Sequence, residues 1–339
     1  MKKQYLFFVA LFCAQLSWAE ITSSVDLRLY YAPVNGQSEN ELRLALQGVI
    51  GNHTAVCYKQ LGILMQWSDT ENADGVHVID MYTDCTFTTS GAITWSNTSS
   101  VGGGMNREHT VPQSWFNENE PMRSDAFHVF PTDCKANGHR SSYLYGECEN
   151  GSSLSSNKCK EIGRLGSSDW QEYSGTVYEV ADEYKGDIAR GYFYMATRYA
   201  GQCENWSGGA FTDENLGLSN YTAALMLKWH RQDPVSEKEL LRNEVIYGNP
   251  AFNKSDKKQG NRNPFIDFPE LVEYIWGEKK GQSVEVSVLE TAYVEEPIDP
   301  HEGLENTPAG PAATKILRDG QMLILVGGHV FSLTGQCIE

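Results

Sequence analysis

The chain is expected to adopt an α+β fold, a small strand–loop–strand–helix core set in a largely helical body. Three observations predict it. Apolar residues recur at helical intervals through residues 38–66 and through four further segments of the second half. Between these regions, "NREHTVPQSWF" (Asn106 to Phe116) reads as a strand running to a proline, and "SDAFHVFPTD" carries a second apolar run, Phe127 to Phe130, that ends in the helix-capping types Thr132 and Asp133. With 40% hydrophobic and 21% charged residues, the chain can bury a sizeable core without a metal or bridge to hold it.

Taken in order, the elements begin with "MKKQYLFFVALFCAQLSWAE", where Lys2 and Lys3 precede an apolar run that closes on Ser17-Trp18-Ala19. This is the pattern of a signal peptide over residues 1–19, cleaved near Ala19, and it implies a secreted protein, extracellular or periplasmic. A lipid anchor at Cys13 is the rival reading, but bulky Phe12 stands where a small residue is required. No later stretch offers about 18 consecutive apolar residues, so no membrane span is expected, and a monomer is. Export makes disulfides the default for Cys57, Cys85, Cys134, Cys148, Cys159, Cys203 and Cys337, an odd set whose spare member is expected to be Cys337. None forms a CxxC pair, which argues against zinc.

Residues 38–66 read as two helices broken at Gly51-Asn52-His53, and "GVHVIDMY" and "GAITW" as strands around a turn-rich "TDCTFTTS". Gly102-Gly103-Gly104 reads as a flexible connector into the Asn106–Phe116 stretch, with a phosphate-cradling loop as the alternative. "CKANGHRSSYLY", "DIARGYFYMATRYA", "TAALMLKWHRQ", "SEKELLRNEVIYGN" and "FPELVEYIWG" read as helices. From Gly281 to Thr314 acids and prolines accumulate with no Lys or Arg, as in a solvated linker, and residues 315–339 regain alternation as a short β-type tail. The main domain is therefore expected over 20–280. The tail resembles the sorting tails of some secreted proteins.

A net charge of −17, more negative once Lys2 and Lys3 leave with the leader, disfavours tight binding to nucleic acid. It does not exclude catalysis on it, which needs only a local cluster. Hydrolysis of a phosphodiester requires a base for water, a cation to offset developing charge, and a donor that fixes the phosphate. Glu108, His109, Asn137 and an arginine, Arg123 or Arg140, supply these types. Histidine titrates near neutrality, and a carboxylate with an amide oxygen suits a hard cation that keeps much of its water. Arginine offers a planar fork of donors. Adjacent strand residues point to opposite faces, so the strand is expected to bend at Glu108-His109. Asn137 and Arg140, three apart, share a helix face.

At these residues the chain resembles the endonuclease I family of secreted and periplasmic bacterial nucleases, members of the His-Me finger (ββα-metal) group. The likeness runs through "NREHTVPQSWF", "PMRSDAFHVFPTDCKANGHRSSYLYGE", "VYEVADEYKGDIARGYFYMATRY", "LKWHRQDPVSEKELLRNEVIYGN" and "QGNRNPFIDFPELVEYIW". The resemblance implies a ββα-metal core, His109 as general base, Glu108 and Asn137 as ligands of one divalent cation (Mg²⁺ foremost, Mn²⁺ or Ca²⁺ as alternatives), and Arg123 on the phosphate. It implies sequence-nonspecific cleavage of DNA, and of RNA in many members, leaving 5′-phosphate ends. Arg140, Arg262 and Asn263 are further candidates for touching substrate. One departure stands out: Phe127 occupies a position where relatives carry a histidine, which puts that histidine's supporting role in doubt. The rival functions are a non-cutting relative that binds nucleic acid or a surface partner, against which the intact Glu108, His109 and Asn137 argue, and a metalloprotease, whose HExxH helix the chain lacks.

Overall fold

The computed structural model describes residues 21–168, 170 and 173–294 in full, and the backbone of 314–318, 321–326 and 329–331. The predicted leader and Cys337 lie outside the described residues. Residues up to Val294 form one compact unit and those from Glu295 a second.

In the first unit, helices Glu39–Ile50 and Leu61–Ser68 stand where the 38–66 periodicity places them. Lys185–Arg198 is buried on every side from its first residue to Thr197 and packs along Asn220–Gln232, so the second half of the chain is built around a fully enclosed helix whose charged members, Lys185, Asp187 and Arg190, are held in ion pairs. Helix Glu237–Tyr247 has the start and stop its sequence announces. Ser236 Oγ accepts from Glu239 N–H, the Glu239 carboxylate accepts from Ser236 N–H, and Gly248 ends the helix at φ 108°, a conformation that strains any side chain. Removing the cap with Ser236→Ala should lower stability by about 0.5–2 kcal/mol, read as a lower denaturation midpoint; an unchanged midpoint would show that the cap contributes nothing. Among the described residues no helix is long and apolar enough to cross a membrane.

The strands depart more from expectation. "GAITW" is not a strand; His77–Val78 pairs instead with Phe87–Thr88, inside the segment read as a turn. A four-stranded sheet of Leu144–Tyr145, Asn150–Ser152, Arg164–Ser168 and Gly175–Glu179 was not foreseen. Leu144–Tyr145 is only two residues long, and Asn150–Ser152 and Arg164–Ser168 are rich in Gly and Ser, so little alternation marks the sheet. Cys85 and Cys159 form a disulfide, while Cys57, Cys134, Cys148 and Cys203 are free thiols.

The boundary at 280 also needs correction. Val284, Val286, Leu289 and Tyr293 are buried in the core of the first unit, and Val284 exchanges backbone hydrogen bonds with Gly36 and Gln37. The segment is part of the main domain through Val294. In the second unit, Thr314–Arg318, Gln321–Val326 and His329–Phe331 pair antiparallel into a three-stranded sheet, the β element expected of the tail.

Candidate active site

Met105–His109 pairs antiparallel with Val129–Asp133, Glu108 opposite Phe130 and His109 opposite Val129. The second strand thus begins two residues later than its apolar run suggests. It runs directly into the helix Cys134–Arg140, whose cap is Asp133: one carboxylate oxygen accepts from the N–H groups of Lys135 and Ala136, the other from Gly102 N–H. Gly102 (φ 77°) turns the glycine run back onto this carboxylate, which anchors the entry to the first strand.

The helix is locked across the outer edge of that strand. The carbonyls of Arg107 and His109, two residues apart, face the same way. Asn137 Nδ2 donates to Arg107 O at 3.0 Å, and the Arg140 guanidinium donates to His109 O at 3.2 Å and Thr110 O at 2.7 Å. The one helix face carrying Asn137 and Arg140 therefore satisfies backbone acceptors that a sheet edge would leave open.

Glu108 and His109 both stay in the ladder, so the bend expected between them does not occur and their side chains start from alternate faces, but both stand at the last two positions of the strand, where one Arg140 nitrogen reaches the Glu108 carboxylate and the His109 carbonyl together. Glu108 is buried. Its Oε1 accepts from Tyr82 OH at 2.9 Å and lies 3.4 Å from an Arg140 nitrogen. Burial pushes this carboxyl up to about 7 against the pull of Arg140 and the Tyr82 and Tyr145 hydroxyls. Oε2 accepts no hydrogen bond from the described residues. Because Asn137 turns its NH₂ to Arg107 O, its Oδ1 also is left free to face a ligand. Among the described residues no cluster of three or more His, Cys, Asp or Glu forms. A cation at this point would be held by one carboxylate, one amide and water, a donor set that fits a hard ion.

His109, on the other face, points into the loop between the strands. Its Nε2 lies 2.9 Å from Arg123 O. A carbonyl only accepts, so Nε2 carries the proton and Nδ1 presents a lone pair. Nδ1 makes no hydrogen bond to the described residues. Burial, with His128, Arg123 and Arg107 nearby, pushes the imidazole down to about 3, which keeps it neutral at neutral pH. Tyr58 stacks on the ring at 5.9 Å, and His128 lies 5.6 Å away. His128 is the more enclosed of the two: Nε2 bonds Met122 O at 2.6 Å and Nδ1 is buried without a partner. Phe127 packs in the core on Tyr194 at 4.6 Å. The residue that departs from the family pattern thus serves packing rather than the face His109 presents.

Arg123 has its side chain 31% exposed, with Nε donating to Gln113 and a terminal nitrogen 3.2 Å from Glu118. Its terminal nitrogens stay partly open to solvent. The other expected substrate contacts are buried. Arg140 is fully buried, its terminal nitrogens engaged as described. Arg262 is enclosed between Asp267 and Glu244, and Asn263 caps the Pro264–Asp267 helix while donating to Arg190 O. Both hold the interior together. Asn263-Pro264 is the cap-and-first-turn signal that identifies this role from sequence. Sequence reasoning passed over Tyr58 and Arg107, neither of which belongs to a catalytic residue pattern.

Comparisons with known proteins place the whole chain. The model of the family described as Endonuclease I matches residues 38–270. An extracellular ribonuclease of Bacillus amyloliquefaciens is 35% identical over 77% of this chain and 83% of its own length, and one of Bacillus subtilis is 30% identical over 74% and 79%. A periplasmic deoxyribonuclease of Aeromonas hydrophila is 29% identical over 43% of the chain and 48% of its own. With the match spanning the strand pair, the helix and the buried helical body alike, this chain belongs to the endonuclease I family of nucleases.

Proposed function

We propose that the protein is a secreted, divalent-cation-dependent nuclease that cleaves RNA and DNA without sequence preference through a ββα-metal site at the end of the Met105–His109 strand. The observation that carries this reading is the fixed tautomer of His109: a neutral imidazole whose free Nδ1 is set by the Arg123 carbonyl, one residue from a buried carboxylate with an unengaged oxygen. Secretion rests on the leader and on relatives named as extracellular or periplasmic enzymes. Activity on RNA rests on the two extracellular ribonucleases that align over most of the chain, and activity on DNA on the shorter match to the deoxyribonuclease.

In the mechanism, His109 Nδ1 takes a proton from the water that attacks phosphorus, and the Arg123 carbonyl stabilises the imidazolium so formed by accepting from Nε2–H. The Arg123 side chain fixes the phosphate. Glu108 Oε2 and Asn137 Oδ1 would hold the cation, with Tyr82, Arg140 and the Arg107 carbonyl keeping these two side chains in place. A cation held there would supply charge stabilisation to the phosphate and the departing 3′-oxygen, and loss of that oxygen leaves the phosphate on the 5′ end at the break.

Digestion of plasmid DNA and of ribosomal RNA by the purified protein tests this. Both substrates should be cut in Mg²⁺, cutting should stop in excess chelator, and it should resume when Mg²⁺ is restored. The 5′ ends should be ligatable without prior phosphorylation. Undiminished cleavage in chelator would remove the cation from the mechanism.

A further inference from the structure

We infer that Arg107 is a phosphate-binding residue, forming a second phosphate subsite beside the one at His109 and holding the neighbouring phosphate of the substrate strand. The inference rests on the nuclease reading and adds a residue to it. Arg107 is half-buried, and its guanidinium lies 4.3 Å from the ring centre of Tyr58 and 4.5 Å from that of Trp95. Its Nε is enclosed without a hydrogen-bond partner, and among the described residues neither terminal nitrogen has a hydrogen-bond acceptor or a carboxylate in ion-pair reach. Among the arginines whose side chains are described, no other guanidinium lacks both an ion pair and a hydrogen bond. In a chain of net charge −17, an arginine left without a counter-ion is conspicuous, since a partly buried cation is stable only with an anion or water on its open side.

The position fits a phosphate. Arg107 and His109 are two residues apart in one strand and so share a face about 7 Å apart, a separation comparable with that of successive phosphates along a nucleic-acid strand. Tyr58 joins the two, because the same ring that carries Arg107 stacks on His109 and also lies 4.2 Å from the Arg123 guanidinium. Arg123 is partly neutralised by Glu118, whereas Arg107 keeps its full charge for the ligand. Two aromatic faces hold the guanidinium plane while its edge stays available to the bidentate geometry that phosphate oxygens accept.

The test is equilibrium binding of a single-stranded oligonucleotide to the full chain in chelator across a salt series, for the wild type, Arg107→Met and Arg107→Lys. Each phosphate contact contributes about 0.7 to the slope of log K against log salt for a single strand. Arg107→Met, which keeps the aliphatic stack, should weaken binding about tenfold and reduce the slope by about that amount, while Arg107→Lys should restore the slope. In cleavage assays the Met variant should lose about tenfold in kcat/KM, mostly through KM, as expected when binding is lost equally from the ground and transition states. A slope identical to wild type in Arg107→Met, with the protein folded by circular dichroism, would overturn the assignment, as would a Lys variant no better than Met. Failure of the nuclease reading would show itself separately, as absence of cleavage by the wild type, because the binding series requires no turnover.

Discussion

Replacing His109 with alanine is expected to lower the cleavage rate about 10²–10⁴-fold while folding, cation binding and affinity for nucleic acid persist. The magnitude follows from the role: a positioned general base contributes only in the transition state, so kcat falls and KM does not. The side chain is well suited to be isolated this way. Among the described residues its one hydrogen bond runs to the Arg123 carbonyl, and Nδ1, which presents the reactive lone pair, makes none. Glu108 should behave differently. Glu108→Gln keeps the shape and the contact with Tyr82 but removes the charge, so cation affinity should fall and excess Mg²⁺ should restore part of the rate. Calorimetric titration with Mn²⁺ alongside a nicking assay separates the two. Equal loss of cation affinity in both variants would mean that the roles are assigned wrongly. A fall in rate well below a hundredfold in His109→Ala would point to another base, and His128, 5.6 Å away, is the neighbour to change next.

The helices of this protein were legible because period and caps are local: Ser236, Glu239 and Gly248 declare both ends of their helix within the segment itself. The residue types of the site were legible too, since Glu108, His109 and Asn137 are chemically distinctive and lie on elements with readable order. What could not be read was how each is held. His109 is oriented by a backbone carbonyl fourteen residues away, which any residue type at position 123 would supply. Arginines are the plainest case. Arg107, Arg140 and Arg262 look alike in sequence, yet Arg140 and Arg262 are surrounded by acceptors and Arg107 has none, and only the packing of distant segments decides which charge is left over. The four-stranded sheet escaped for a related reason: Asn150-Gly151-Ser152 and Arg164–Ser168 owe their extended form to their neighbours, not to their own side chains.

A chain ended at Gly281 should fail to fold stably, whereas one ended at Val294 should retain the melting temperature and activity of the mature protein. Acidic composition makes residues 281–294 look like the start of a linker, but the average conceals Val284, Val286, Leu289 and Tyr293, all buried in the core. At about 1.5–3 kcal/mol for each buried side chain, removing the four costs on the order of 6–12 kcal/mol, and a domain of this kind has only about 5–15 kcal/mol in total. Polar losses add to this. Tyr293 OH accepts from Arg262 and Asn243, Val284 pairs with Gly36 and Gln37, and Val286 N–H donates to Asn35. Without Tyr293 the buried Arg262 loses a partner it cannot replace with water, and a charge-assisted hydrogen bond of this kind is worth about 1.5–3 kcal/mol. Beyond Val294 the balance reverses, because the residues from Glu295 form a separate compact unit. Thermal unfolding of the two truncated proteins, each beginning at Glu20, checks both halves of the expectation. If the version ending at Gly281 melts with the one ending at Val294, the segment is a linker after all and its buried side chains contribute little. Should the version ending at Val294 also collapse, the main domain would depend on the tail.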